Sequence, residues 1–145
     1  MILISHRGNL NGPNPNIENH PNYIDSAIYE GFDVEIDIRV VNHKLYLGHD
    51  KPQHLINIGW LQKRKDNLWI HCKDLITLSK FNTYYNYLNY FFHDSDLGVL
   101  TSHRYIWSAN NVNNGILVMP ELFNTKSNKY TLGVCSDYIK NYENE

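Results

Sequence analysis

Polar residues recur at one kind of place in this sequence: at, or just after, the end of a short apolar run. His6-Arg7, Glu35 and Asp37, His49-Asp50, His71 and Lys73, His93-Asp94 and Glu121 all sit this way. Glu35 and Asp37 are separated by one residue, so in a strand both carboxylates project from the same face. Two such oxygens suit a hard divalent cation. An antiparallel strand with one solvated face alternates in the same manner. If the acids point into a closed interior, their charge needs a cation or a basic partner there. His71 and Lys73 also share a face, with Cys72 on the other. A lysine there suits a phosphate as a point charge. The plainer reading is a hydrogen-bonded histidine beside a lysine that reaches to solvent. His6-Arg7-Gly8 combines a proton-transfer group, a bidentate phosphate donor and a residue that lets backbone approach a ligand closely. His20, His43 and His54 fall in loops or turns and read as surface residues.

The elements that carry these residues are short. Residues 2–5 form an apolar run that delivers His6-Arg7-Gly8 at its end. Residues 9–22 are rich in Asn-Gly, Pro-Asn and His-Pro pairs and read as a loop. A helix is predicted over 23–29, stopped by Gly31. Residues 32–40 alternate strictly, placing Glu35, Asp37 and Arg39 opposite Val34, Ile36 and Ile38. Asn42-His43 turns the chain into a short strand over 44–47, which ends at Gly48-His49-Asp50. Helices are predicted over 56–65 and 75–90, with a strand over 68–73 between them. Beyond residue 90 only short strands are expected, over 90–93, 99–101, 105–107, 116–119 and 133–136. Tyr105 and Trp107 alternate on one of these; they either meet a sugar or acyl chain or fill an outer layer of a thinly covered barrel. Eight segments suffice for one barrel, with 44–47 as an extra hairpin strand. The strand–helix alternation of the first half predicts parallel pairing. In a β/α barrel all these strand ends face one rim, which gathers the scattered polar residues into a single site.

Composition narrows the class. A chain of 145 residues is one domain, 1–145, able to bury a sizeable core. A pI near 6.4 argues against a nucleic-acid partner. Aromatic residues at 13% exclude an acidic disordered tail. No apolar run reaches the ~18 residues of a transmembrane segment. Met1 leads directly into Ile2-Leu3-Ile4 without the charged start of a secretory signal, so a cytoplasmic location is expected. Cys72 and Cys135 lie in apolar runs and read as buried thiols of a reducing compartment.

Taken in order, Ser5-His6-Arg7-Gly8, Ile17-Glu18-Asn19, Val34-Glu35-Ile36-Asp37 and Gly48-His49-Asp50 resemble the glycerophosphodiester phosphodiesterase family. That family belongs to the phosphatidylinositol-phospholipase-C-like phosphodiesterases. The likeness covers residues 1–50. It implies an α/β fold: a compact, distorted (β/α)8 TIM-type barrel, here with helices reduced or missing in the C-terminal half. It implies metal-dependent hydrolysis of a phosphodiester, with His6 and His49 as acid/base pair. Glu35 and Asp37 match the metal carboxylates, and Arg7 the phosphate-binding arginine. Glu18, Asn19 and Asp50 match supporting positions, with Ile17 where the family has proline. The family's third metal ligand is a glutamate two residues before a lysine; here His71 fills that slot and Lys73 is kept. The implied cofactor is one divalent cation, Mg²⁺, Ca²⁺ or Mn²⁺, with imidazole favouring Mn²⁺ over Ca²⁺. The implied partner is a small phosphodiester of glycerophosphodiester, lysophospholipid or sugar-phosphate type. Bare strands after residue 90 would leave apolar surface for a homodimer to cover. The replaced ligand and the shortened barrel motivate two rivals. One is a non-catalytic module holding a phosphorylated lipid headgroup or sugar phosphate; the other is a subunit whose barrel a partner chain completes.

Overall fold

Alternating apolar residues become sheet, and sheet dominates. The computed structural model describes residues 1–144. The chain runs β1 (Ile2–His6), α1 (Pro21–Tyr29), β2 (Asp33–Val41), β3 (Lys44–Leu47), β4 (His54–Ile56), α2 (Ile58–Gln62) and β5 (Leu68–Cys72). It continues through α3 (Leu75–Tyr84), β6 (Tyr90–Phe91), β7 (Gly98–Leu100), β8 (Ile106–Ser108), β9 (Gly115–Val118), α4 (Pro120–Phe123), β10 (Gly133–Ser136) and a 3-10 turn, Ile139–Tyr142.

β2 is the hub. Its first residues pair in parallel with β1, placing His6 opposite Glu35. On its other side it pairs in parallel with β5, placing Asp37 opposite His71. Where β1 stops, β3 takes over the same flank of β2 in antiparallel sense, from Ile38 to Val41. β1 continues in parallel to β10, β10 to β9 and β9 to β8, while β8 and β7 are antiparallel. β6 pairs with β5 and β4 with β3. β6 meets the chain just past β7 at Ser102: its N–H donates to the Tyr90 carbonyl at 2.8 Å, and its hydroxyl accepts from the Tyr90 N–H.

The expected (β/α)8 barrel is therefore incorrect. The fold is a mixed, mostly β half-barrel with four short α-helices among the described residues. The reason lies in the connections after β6. The β7–β8 link is five residues and the β8–β9 link is six. A helical crossover needs about ten or more. A link that short between β7 and β8 forms a hairpin, which is antiparallel. Two of the predicted helices are also shorter than their apolar spacing suggested. Residues 54–56 are a strand on β3, and the helix behind them, capped by Asn57, covers only Ile58–Gln62. The helix from Leu75, capped by Asp74, ends at Tyr84, because the Asn89 carbonyl is needed by the Ile70 N–H in the sheet.

The alternation of each strand divides the apolar residues into two cores. Val34, Ile36, Ile38 and Ile70 pack against Ile24, Leu61 and Phe81 of the helices. On the concave face Ile4, Trp69, Phe91, Trp107, Ile116 and Cys135 form a second cluster. Trp107 thus faces inward, stacked 5.6 Å from Trp69, and does not fill an outer layer. Each fully buried side chain of this size contributes about 1.5–3 kcal/mol. Above the inner cluster the same concave face turns polar.

Candidate functional site

The polar layer begins where β1 ends. Arg7 adopts φ 56° and Gly8 φ 95°, so the chain folds back sharply after His6. A Cβ on Gly8 would lie 2.6 Å from the Tyr23 ring, so this turn needs glycine on both counts. The Arg7 N–H donates to the Glu35 carbonyl at 3.0 Å, and its Nε lies 2.9 Å from Asp37 Oδ2. Asn19, also at positive φ, clamps Asp37 twice. Its Nδ2 donates to Oδ2 at 2.9 Å, and its Oδ1 accepts the Asp37 N–H at 2.9 Å. Glu18 stands behind, accepting from Arg7 at 3.2 Å and from Asn9 Nδ2 at 2.9 Å. The loop that reads as irregular in sequence is thus tied down by side chains.

Glu35, Asp37 and His71 offer ligand atoms that all lie within 4.8 Å of one another, and all three residues are buried. His71 Nδ1 is 3.3 Å from Asp37 Oδ1 and 3.8 Å from Glu35 Oε1. Lys73 Nζ stands 3.4 Å from Asp37 Oδ1. The two acids differ sharply. Burial acts to raise the Asp37 pKa, but His71, Arg7 and Lys73 hold it well below the usual carboxylate range. Burial and the Asp37 charge push Glu35 up, against His6, Arg7 and His71. Glu35 Oε2, Asp37 Oδ1 and His71 Nε2 are buried without a hydrogen-bond partner. Orphaned acceptors of this kind call for an absent partner. Two carboxylates and an imidazole are donors that a divalent cation takes. The donor set fits such an ion.

Two imidazoles border this centre. His6 Nδ1 bonds Asp137 Oδ1 at 2.7 Å, and its Nε2 lies 3.8 Å from Glu35 Oε2. Burial opposes charge on His6, but the Asp137 bond and the Glu35 carboxylate outweigh it and raise the pKa. Asp137 also accepts from Asn9 Nδ2 at 2.7 Å, and its N–H donates to Glu121 Oε1 at 2.9 Å. His49 follows Gly48, whose φ of 146° and contact with Lys51 leave no room for a side chain. Arg39 donates to the Gly48 and His49 carbonyls and fixes this turn. His49 Nδ1 bonds Asp50 Oδ1 at 2.7 Å. Its pKa is lowered by partial burial, helped by Arg7 and Lys73, despite Asp37 and Asp50.

His6, Arg7, Glu35, His49, His71 and Lys73 line one cavity of about 940 Å³. Glu18 and Asn19 stand behind this wall through their bonds to Arg7 and Asp37. Asp37 lies beneath the floor with no exposure, and the Asp50 side chain projects to solvent at 90% exposure. Sequence reading assigned no role to Asp137 or Asn9, and it grouped His93 and Glu121 with the strand-end residues of the rim without giving either a role. His93 stacks on His71 at 4.5 Å and also lines the cavity. The signal was present for three of them: His93, Glu121 and Asp137 each close an apolar run. His20 and His54, read as surface residues, are half-buried and meet edge to face at 4.8 Å. Both cysteines are free and buried, and burial raises their thiol pKa values. Among the described residues no helix is long and apolar enough to cross a membrane. No protein-family model, curated protein sequence or solved structure matches this chain.

Proposed function

We propose that this protein is a metal-dependent phosphodiester hydrolase of the glycerophosphodiester phosphodiesterase type. One observation carries the reading: two carboxylate-backed histidines, two cations and an under-partnered Glu35–Asp37–His71 cluster converge on one cavity. Arg7 and Lys73 hold the phosphodiester anion by charge. A divalent cation held by Glu35, Asp37 and His71 supplies Lewis-acid stabilisation of charge on the phosphoryl oxygens. One histidine accepts a proton from the attacking water or substrate hydroxyl as its oxygen bonds to phosphorus. The bond from phosphorus to the leaving oxygen breaks, and the other histidine donates the proton that this oxygen takes up. Asp137 and Asp50 orient the two rings for these transfers. Imidazole among the ligands favours Mn²⁺ over the harder Mg²⁺ and Ca²⁺. The free, buried thiols support a reducing, cytoplasmic setting. A homodimer over the helix-free side, where Leu100 is exposed, belongs to the same reading; sedimentation showing only monomer at micromolar concentration removes it.

A second reading is a non-catalytic phosphate-binding module. Lys73 favours it, because its Nζ stands 3.5 Å from His71 Nδ1 and 3.4 Å from Asp37, at the corner a cation would share. Hydrolysis of an aryl phosphodiester separates the two. His6→Ala and His49→Ala should each cost about 10²–10⁴-fold in rate. Variants that match the parent overturn the enzyme reading.

A further inference from the structure

Asp137, just past β10, is held through its N–H, its carbonyl and its carboxylate. Its N–H donates to Glu121 Oε1 at 2.9 Å, and its carbonyl accepts from the Gly12 N–H at 2.8 Å. Its Oδ1 takes His6 Nδ1 and Asn9 Nδ2, both at 2.7 Å. The neighbouring Ser136 hydroxyl donates to the same Glu121 oxygen at 3.0 Å and accepts the Tyr138 N–H at 2.9 Å. Ser136 and Asp137 are both buried. Glu121 thus closes two of the bonds that shape residues 136–138, and the carboxylate that meets His6 leaves from the middle of that turn.

The segment that delivers Glu121 is strained. α4 has four residues, and the residues flanking it, Met119 and Asn124, are both left-handed at φ 48°. Met119 carries a Cβ and precedes Pro120, two reasons to avoid this region. Its N–H donates to the Cys135 carbonyl at 2.8 Å, so the chain turns over the end of β10 at this point. Leu122 and Phe123 are 70% and 54% exposed, so their packing offsets little of the strain. Strain of this kind persists where the surroundings fix it, commonly beside a functional group. What the strained turn brings to the end of β10 is the Glu121 carboxylate. We propose that Glu121 is a positioning residue that acts on His6 through Asp137. Without its oxygen the buried Asp137 N–H lacks a partner, and the Ser136–Asp137 peptide turns to find one. That rotation carries the Asp137 carboxylate off His6 Nδ1. The ring then loses the acceptor that keeps its proton on Nδ1 and its Nε2 lone pair available beside Glu35. Glu121 itself does not line the cavity, so it acts on the ring and not on a ligand. This role rests on the reading of His6 as a proton-transfer group.

The test uses the full chain in chelator and reads the tautomer of neutral His6 from its ring nitrogen shifts by NMR. In the parent the proton should lie on Nδ1, against Asp137. Glu121→Gln keeps an acceptor oxygen and should keep that tautomer. Glu121→Met keeps the length of the side chain without the oxygen and should move a measurable share of the proton to Nε2. With Mn²⁺ and p-nitrophenyl methyl phosphate, Glu121→Met should lower kcat about 10–100-fold with KM within about threefold. Glu121→Gln should retain the parent rate. If Glu121→Met does not fold, Glu121→Asp, one methylene short of the Asp137 N–H, is read by the same criteria. A parent ring with its proton on Nε2 overturns the proposal. So does Glu121→Met with the parent tautomer, however far its unfolding midpoint falls, because a merely structural tie leaves the ring unchanged. Loss of the Nδ1 proton in Glu121→Gln as well also overturns it, since the acceptor oxygen is then not what holds the ring. A parent that hydrolyses no ester removes the hydrolase reading, and the tautomer alone then decides the positioning of His6. A shifted tautomer at parental kcat sustains the positioning and removes His6 from the chemistry.

Discussion

Glu35 and Asp37 neighbour each other on one strand face, yet their replacement should have opposite effects on stability. Asp37 has no solvent exposure and meets Arg7 Nε at 2.9 Å, Lys73 at 3.4 Å and the Asn19 amide at 2.9 Å. Asp37→Asn keeps the shape but leaves two cations facing a neutral amide. Breaking a buried pair in this way costs about 3–5 kcal/mol. At roughly 2–4 °C per kcal/mol for a chain of this size, the unfolding midpoint should fall by about 6–20 °C. Glu35 has no comparable clamp: its Oε2 has no hydrogen-bond partner, and burial beside Asp37 raises its pKa. A raised carboxylate pKa destabilises the native state increasingly as pH rises above the ordinary value of 4.5. Glu35→Gln removes that penalty, so in chelator at neutral pH the variant should match or exceed the parent. Its advantage should grow with pH and disappear below about pH 4, where Glu35 is protonated in both states. Thermal and urea unfolding in chelator at several pH values read both effects. Equal destabilisation by the two substitutions would refute the claim that one acid is satisfied by the protein while the other awaits a cation.

The same pair predicts the response to metal. Mn²⁺ or Mg²⁺ at 100 times its dissociation constant should add about 2.7 kcal/mol, or about 5–10 °C in the unfolding midpoint. Glu35→Gln should lose most of that increment, and a parent protein indifferent to every divalent ion removes the metal centre. The raised pKa of His6 means that its bond to Asp137 stabilises the fold fully below pH 6.5 and fades as pH rises through the higher folded value. Asp137→Asn should lower the His6 pKa, read by NMR titration of the ring, and flatten this pH dependence; an unmoved resonance contradicts the assigned pair. Gly48→Ala would place a Cβ 2.1 Å from the Lys51 carbonyl at φ 146°. It should displace His49 and depress kcat/KM more than it lowers the unfolding midpoint. An alanine variant with parental kcat/KM would show that this turn does not position the ring.

The strands were legible because their faces differ in chemistry. Residues 33–39 alternate charge and branched apolar side chains without interruption, and they form the hub of the sheet. The grouping of strand-end residues followed from the same alternation. Helices were less legible, since apolar spacing over 75–90 does not register that Leu88 and Asn89 are claimed by the core and by β5. The barrel expectation failed at links too short for helices, a constraint visible in the spacing of the predicted strands but outweighed by the motif likeness. Asp137 lay 131 residues from His6, and only pairing of β10 with β1 brings them together.

The hand-over on β2 leaves the strand that bears both acids without an open edge. β1 guards one flank up to Glu35, the Arg7 and Gly48 amides bridge the junction, and β3 continues from Ile38, while β5 guards the other side. The opposite wall hangs on two- to four-residue strands and irregular links. Such a molecule holds the polar residues of the cavity floor in a fully paired part of the sheet and puts its fewest ladder bonds across from them. Substitutions between residues 92 and 126 can then reshape the cavity while the residues on β1, β2 and β5 keep their places.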